Sequence, residues 1–146
     1  YWEYRQTKEV ADALSIDVTG GEQDCELINW EYMIGLRAVD VVQPDLVVLP
    51  GSIIRQQGLR NFIEVPPLLV VEILSPSTAS SDRRAKMALY ARFGIPEYWI
   101  VDPDRSNVDA FALADRAYVP IEGDAPGQVH SRVFPGLVVA VDLLFW

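Results

Sequence analysis

A seven-residue segment, Leu68–Leu74 ("LLVVEIL"), constrains the fold of this chain more than any other stretch. Every residue in it is apolar except Glu72, and Pro76 follows closely. Such a run predicts a strand that is buried on both faces near the centre of a sheet. Moving an isolated carboxylate from water to such a place costs several kcal/mol unless a cation or hydrogen-bond donors compensate its charge. The sequence therefore raises the question of what compensates Glu72.

Regular structure is predicted on both sides of this segment. Before it, Pro44 precedes the apolar stretch Asp45–Leu49, which predicts another strand, since proline is tolerated at the start of a strand. After it, a helix is predicted to begin at Ser80 or Ser81 and to end at Gly94. A strand, a helix and a further strand in this order are typical of a mixed sheet with packed helices.

The remaining segments predict further strands and one more helix. "EYWIV" predicts a strand, "VDAFAL" and "AYVPI" an antiparallel pair, and "GLVVAVDLLFW" a strand with a short terminal segment. "YWEYRQTKEVADAL" predicts a helix, whereas "CELINWEYMIGL" fits either a strand or a helix. We therefore expect one α+β domain over residues 1–146. Because the chain starts at Tyr1 and not at methionine, this expectation includes an incomplete N-terminal part.

Composition excludes several classes of protein. The net charge of -9 argues against broad nonspecific affinity for nucleic acid or anionic membranes, although it leaves room for a local basic patch. The single cysteine, Cys25, cannot form an internal disulfide, and with the single histidine, His130, it cannot complete a zinc site of the usual kind. No apolar run approaches the roughly 20 residues of a membrane helix. We expect a cytoplasmic protein that does not contact membranes.

Two carboxylates and one lysine form a candidate site. Strand side chains alternate, so Glu72 shares a face with Val70 and Leu74. If the strands that carry Asp45 and Glu72 are neighbours, their carboxylates converge, and two hard oxygen ligands suit Mg²⁺ or Mn²⁺. The cation would offset the desolvation of Glu72. Lys86, one turn into the following helix, would then orient an attacking water or stabilise negative charge in a phosphoryl transition state.

These segments also carry a resemblance to a known family. "QPDLVVL", "VVEILSPST" and "DRRAKMALYARFGIPEYWIVDP" resemble the Uma-type restriction endonuclease family of the PD-(D/E)xK nuclease superfamily. The likeness covers roughly Val41 to Pro103, and "FPGLVVAVDLLF" resembles the C-terminal end of the family. The resemblance implies a restriction-endonuclease-like mixed central sheet with flanking helices, and metal-dependent hydrolysis of phosphodiester bonds in nucleic acid.

The resemblance also implies roles for particular residues. Asp45 is the aspartate of the "PD" motif, and Glu72 is the acidic residue of the "ExK" element. The third position of that element holds Leu74, so the resemblance assigns the lysine to Lys86 on the next helix. The implied catalytic residues are therefore Asp45, Glu72 and Lys86, with Asp45 and Glu72 as ligands of Mg²⁺ or Mn²⁺.

Two implications of the resemblance are less specific. The superfamily often adds an acidic residue from an N-terminal helix, and here that residue is either Glu3 or Glu9. The expected partner is nucleic acid, DNA in the first place. A homodimer is expected because one small acidic chain offers little surface for gripping two strands.

Structural explanations of the same residues stand beside these hypotheses. Glu72 would also be compensated by an ion pair with Arg83, Arg84 or Lys86. Asp45 would equally accept a hydrogen bond from a backbone N–H near the start of its strand. Under these explanations the polar cluster stabilises the fold and carries no chemistry.

Two further alternatives concern the helix and the function. Lys86 would form an exposed salt bridge with Asp82, four residues earlier. Tyr90 would be a packing residue with a polar tip and not a catalytic residue. At the level of function, the alternative to a nuclease is a noncatalytic interaction domain that retains the nuclease fold. A hydrolase of small phosphorylated molecules is a third hypothesis.

Overall fold

In this computed structural model, the structure describes residues 25–29, 33–37, 40–42, 44–52, 62–63, 66–74, 81–123 and 125–145. The strands are, in chain order, β1 (Cys25–Asn29), β2 (Met33–Arg37), β3 (Asp40–Val42), β4 (Leu46–Pro50), β5 (Phe62–Ile63), β6 (Leu69–Ile73), β7 (Glu97–Asp102), β8 (Asn107–Ala114), β9 (Ala117–Pro120), β10 (Gln128–His130) and β11 (Val138–Ala140). Helix α1 (Ser81–Arg92) lies between β6 and β7, and a 3-10 turn (Val141–Leu144) follows β11.

A six-stranded mixed sheet organises the described residues, with the strand order β1-β4-β6-β7-β8-β9. Strands β6 and β7 pair in parallel, and the other neighbours in this sheet pair antiparallel. A parallel pair needs a crossover connection, and α1 lies within the connection from β6 to β7. Two smaller sheets have the orders β3-β2-β5 and β10-β11.

Apolar side chains cover both faces of the large sheet. On the α1 side, one core cluster consists of Val47, Leu49, Val70, Tyr90, Ile95, Tyr98 and Ile100. On the opposite side, a second cluster consists of Leu46, Val48, Leu69, Val71, Trp99, Val101, Val108, Ala110, Val129, Phe134, Leu137, Val139 and Leu144. The second cluster draws residues from β10, β11 and the 3-10 turn, so these elements cover that face. Strand β6 is therefore buried on both faces, as its apolar sequence predicts.

The C-terminal end of α1 is fixed by a Schellman motif. Gly94 has a φ of 73°, which a glycine adopts without steric cost, and its N–H donates to the carbonyl of Ala91 at 3.1 Å. The N–H of Ile95 donates to the carbonyl of Tyr90 at 3.2 Å. These two bonds satisfy carbonyls that the helix end would otherwise leave unpaired. The predicted end of the helix at Gly94 is confirmed.

Most of the predicted elements within the described residues are confirmed. The strands predicted at Asp45–Leu49 and Leu68–Leu74 correspond to β4 and β6, and the antiparallel pair corresponds to β8 and β9. The ambiguous "CELINWEYMIGL" contributes strands β1 and β2. Strand β10, where His130 is half-buried, was not predicted. The helix predicted for "YWEYRQTKEVADAL" lies outside the described residues. Among those described, none forms a helix with the length and apolar character of a membrane span.

Candidate active site

The pairing of β4 with β6 brings the two predicted carboxylates to facing positions. In this antiparallel pair Val47 lies opposite Val70. Continuing the same register by two residues along each chain places Asp45 opposite Glu72. Side chains at facing positions of an antiparallel pair start about 4.5–5.5 Å apart at Cβ. Asp45, which directly precedes β4, therefore lies close to Glu72 at this end of the pair.

Asp45 is tied to the neighbouring strand by its own side chain. Its Oδ2 accepts a hydrogen bond from the backbone N–H of Ile73 at 2.7 Å, and the residue is half-buried. This is the kind of backbone contact that the structural explanation of Asp45 predicts. The contact also holds the carboxylate beside Glu72, so it serves either interpretation.

Helix α1 supplies the groups that compensate Glu72. Glu72 is 6% exposed, and its Oε1 accepts a hydrogen bond from the hydroxyl of Tyr90 at 2.6 Å. The Nζ of Lys86 lies 3.3 Å from the same Oε1. Lys86 and Tyr90 are four residues apart, so they lie on one side of the helix. The buried carboxylate is thus met by one ammonium group and one phenol from the same helix.

This compensation is incomplete. Burial raises the pKa of Glu72 from 4.5 to about 7, and the charge of Asp45 acts in the same direction. The charge of Lys86 and the hydrogen bond from Tyr90 oppose this rise but do not cancel it. Burial and the charge of Glu72 also raise the pKa of Tyr90 well above its usual value, so its hydroxyl stays a donor at neutral pH.

A divalent cation fits the charge that remains. Mg²⁺ is commonly held by one or two carboxylates and keeps several waters or substrate phosphate oxygens as its other ligands. Asp45 and Glu72 provide that number of carboxylates, and repulsion between them falls when a cation lies between them. Within the described ranges, no third histidine, cysteine, aspartate or glutamate joins them in a cluster. Glu3 and Glu9, the two predicted candidates, lie outside those ranges.

Comparison with known proteins identifies the family. A family model described as "Uma2: Putative restriction endonuclease" matches residues 4–142. The chain belongs to the Uma2 family. A curated relative, "Uncharacterized protein slr1290" of Synechocystis sp. (strain ATCC 27184 / PCC 6803 / Kazusa), is 30% identical over 125 residues, which are 84% of this chain. This Uma2 chain spans 64% of the length of that relative.

A solved structure shows the same fold. It is described as a putative nuclease belonging to DUF820 from Anabaena variabilis ATCC 29413, and it matches with a TM-score of 0.75 at 19% sequence identity. The match covers 95% of this chain and 77% of the other. The predicted restriction-endonuclease-like α+β fold is confirmed.

In this Uma2 chain, Lys86 lies beside Glu72. Leu74, at the position where the wider superfamily pattern has lysine, is half-buried and packs against the α1-side core. It carries no charge and donates no side-chain hydrogen bond. The Nζ of Lys86 forms a salt bridge with Oε1 of Glu72 at 3.3 Å, so its amine is directed at β6. Its role in catalysis stays a prediction.

The sequence predicts Tyr90 to be a packing residue with a polar tip, and the structure gives that tip a specific partner. Its ring is indeed buried in the core, but its hydroxyl donates to Glu72. A signal was present in the sequence, because Tyr90 lies four residues after Lys86 and so points the same way.

A second buried carboxylate, Glu97, was not predicted at all. Its Oε1 accepts from the indole Nε1 of Trp99 at 2.6 Å. Its Oε2 accepts from the hydroxyl of Ser131 at 3.0 Å and from the backbone N–H groups of Arg132 at 3.1 Å and Val133 at 2.9 Å. Four uncharged donors surround this carboxylate, so its role is to join β7 to the turn before β11. Three of the four donors come from a distant segment, and no local sequence pattern predicts them.

Proposed function

We propose that this Uma2 chain is a metal-dependent endonuclease that hydrolyses phosphodiester bonds in nucleic acid, with DNA as the first substrate to test. The observation that supports this most directly is the position of the three side chains: Asp45 accepts a hydrogen bond from the N–H of Ile73, next to Glu72, and the Nζ of Lys86 lies 3.3 Å from Glu72. One small acidic chain offers little surface for gripping two strands, so the proposal includes a homodimer. It also includes a cytoplasmic location.

Each residue of the site has a role that follows from its chemistry. Asp45 and Glu72 would hold Mg²⁺ or Mn²⁺. When bound there, such a cation stabilises negative charge on the phosphate and lowers the pKa of a coordinated water. Lys86 cannot be a ligand while it carries its proton, but it donates hydrogen bonds. Its side chain is 26% exposed, so its amine can reach an attacking water or a phosphate oxygen while its methylenes stay packed.

Cleavage of DNA tests the proposal. We expect the wild type to cleave plasmid and linear DNA in Mg²⁺ or Mn²⁺ and to lose this activity in chelator. Asp45→Asn and Glu72→Gln should be inactive. Lys86→Ala should lose about 100-fold or more in rate, which is the contribution of a positioned proton donor. Arg116→Ala is the matched control, because it removes one exposed positive charge in the turn between β8 and β9.

Metal binding tests whether a variant loses cleavage activity because it no longer holds the cation. Millimolar Mn²⁺ should raise the melting temperature of the wild type, since a ligand at 100 times its Kd adds about 2.7 kcal/mol to the free energy of unfolding. Asp45→Asn and Glu72→Gln should abolish this shift, whereas Lys86→Ala should keep it. A wild type that shows no shift would contradict the metal site, and undiminished cleavage by Lys86→Ala would contradict the role of the lysine.

One specific observation favours the alternative, a noncatalytic interaction domain. Lys86 and Tyr90 already provide partners for Glu72 when no metal ion is bound, as expected of a structural ion pair. The net charge of -9 is also unfavourable for a nucleic-acid enzyme. Under this alternative, breaking the pair by Glu72→Gln should cost about 3–5 kcal/mol of unfolding free energy in chelator. The nuclease proposal expects this variant to be neutral or stabilised there.

A further inference from the structure

Both groups that α1 directs at Glu72 meet the same oxygen of its carboxylate. The Tyr90 hydroxyl lies 2.6 Å from Oε1, and the Lys86 Nζ lies 3.3 Å from Oε1. The two oxygens of Glu72 are therefore not equivalent. The proposed chemistry assigns a role to Lys86 but leaves this hydrogen bond from Tyr90 without one.

Tyr90 is held so that its hydroxyl has little freedom to move. Its side chain is fully buried, and its ring packs edge-on against that of Tyr98, with centroids 5.2 Å apart and planes at 69°. Its backbone carbonyl accepts the N–H of Ile95 in the motif that ends α1. A tyrosine whose ring and backbone are both fixed presents its hydroxyl at one point, and that point is Oε1 of Glu72.

We propose that Tyr90 is a positioning residue that, with Lys86, occupies Oε1 of Glu72, so that the carboxylate meets a divalent cation through Oε2 alone and the site prefers Mg²⁺ to Ca²⁺. This inference rests on the metal-dependent function proposed above. It assigns the choice of metal to a buried phenol that does not itself touch the metal.

The preference follows from the coordination chemistry of the two ions. Mg²⁺ demands a nearly octahedral set of ligands at about 2.0–2.1 Å, which single carboxylate oxygens and waters provide. Ca²⁺ takes about 6–8 oxygens at longer distances and readily accepts both oxygens of one carboxylate. Holding Oε1 in hydrogen bonds removes that two-oxygen mode, and this removal disfavours Ca²⁺. Groups that orient a metal ligand commonly change metal affinity by about 10–100-fold when they are removed.

Calorimetric titration of Mg²⁺ and of Ca²⁺ into the wild type, Tyr90→Phe and Tyr118→Phe tests the inference. Tyr118 is the matched control, because its ring lies 5.8 Å from that of Tyr98 and its hydroxyl donates to the backbone carbonyl of Ile95 at 2.7 Å. Each substitution removes one tyrosine hydrogen bond at the core cluster on the α1 side of the sheet. We expect the ratio of Mg²⁺ to Ca²⁺ affinity to fall about tenfold or more in Tyr90→Phe and to stay unchanged in Tyr118→Phe.

A second variant tests the same inference if Tyr90→Phe does not fold. Lys86→Ala removes the other contact on Oε1 from a partly exposed position, and it should lower the same affinity ratio. If the wild type binds neither ion, the proposed metal site fails and this inference fails with it. If the wild type binds Mg²⁺ but Tyr90→Phe leaves the ratio unchanged, or Tyr118→Phe changes it equally, the inference alone is overturned.

Discussion

At the scale of single residues, the two buried glutamates Glu72 and Glu97 show how differently one side chain can be accommodated. Glu97 is fully buried and accepts four hydrogen bonds from uncharged donors, so both of its oxygens have partners within the fold. Glu72 meets one phenol and one ammonium on a single oxygen, and burial together with the charge of Asp45 raises its pKa. An incompletely compensated carboxylate beside a second one is a typical feature of functional sites.

The raised pKa of Glu72 predicts how stability depends on pH in chelator. A free glutamate ionises near pH 4.5, whereas Glu72 in the fold ionises near 7. Between these values the folded state binds the extra proton, so its contribution to stability is full below pH 4.5 and is lost as the pH rises through 7. A shift of this size corresponds to about 3 kcal/mol.

Urea unfolding between pH 4 and pH 8 measures this contribution. Relative to the wild type, Glu72→Gln should gain about 3 kcal/mol on going from low to high pH, because glutamine has no proton to lose. Glu122→Gln makes the same chemical change at an exposed position and is the matched control. Parallel profiles for Glu72→Gln and the wild type would contradict the assigned pKa.

At the scale of elements, three connections position α1 and the strands around the site. Arg83 on α1 forms a salt bridge at 2.9 Å with Asp109 on β8. The Schellman motif at Gly94 fixes the other end of the helix. Glu97 joins the start of β7 to the turn that precedes β11. The helix is thus held at both ends, which keeps its middle residues above β6.

The connection made by Glu97 predicts a large loss of stability without any change in metal binding. In Glu97→Gln an NH₂ group replaces one of the two oxygens. This donor then points at another donor, either the Trp99 indole N–H or the groups around Ser131. We expect a loss of about 3 kcal/mol in urea unfolding, because a buried donor is left unsatisfied and charged hydrogen bonds are lost. The Mn²⁺ affinity of the folded variant should equal that of the wild type. A neutral effect on stability would show that the turn tolerates a different partner.

At the scale of the whole molecule, the charge of the chain limits how it can approach nucleic acid. A net charge of -9 repels a phosphate backbone, so binding must depend on local positive charge. Four of the 12 lysine and arginine residues lie in α1, the helix that carries Lys86. A divalent cation at the site would add positive charge at the same place.

This charge balance predicts that DNA binding depends on the cation. Lys86→Ala, which keeps both carboxylates, is suited to the measurement because it should cleave about 100-fold more slowly than the wild type. Its affinity for a labelled duplex, measured by fluorescence anisotropy, should be about tenfold or more higher in Mg²⁺ than in chelator, since a cation held by Asp45 and Glu72 would reduce the repulsion between the site and the phosphates. Glu72→Gln should show no such gain. Equal affinity of Lys86→Ala in Mg²⁺ and chelator would contradict the prediction.

The sequence by itself determined much of the framework. The apolar run around Glu72 identified a strand buried on both faces, because a polar face would have required alternation. Gly94 identified the end of α1, because few other residues adopt its positive φ at low cost. Asp45, Glu72 and Lys86 could be chosen as candidate site residues because their positions within the predicted strands and helix can be read from neighbouring residues in the sequence. The family and the fold that this pattern implied are confirmed.

Only the tertiary structure decided which groups share each buried carboxylate. Tyr90 and Lys86 reach one oxygen of Glu72 because the crossover from β6 to β7 lays α1 over the sheet. Glu97 finds Ser131 because the segment before β11 folds back beneath β7, 34 residues further along the chain. Propensity and periodicity describe neighbours within a turn or a strand, whereas these contacts depend on the packing of elements that are distant in sequence. The physical reason is that a buried charge selects its partners by proximity in space, and the sequence pattern encodes that proximity only indirectly.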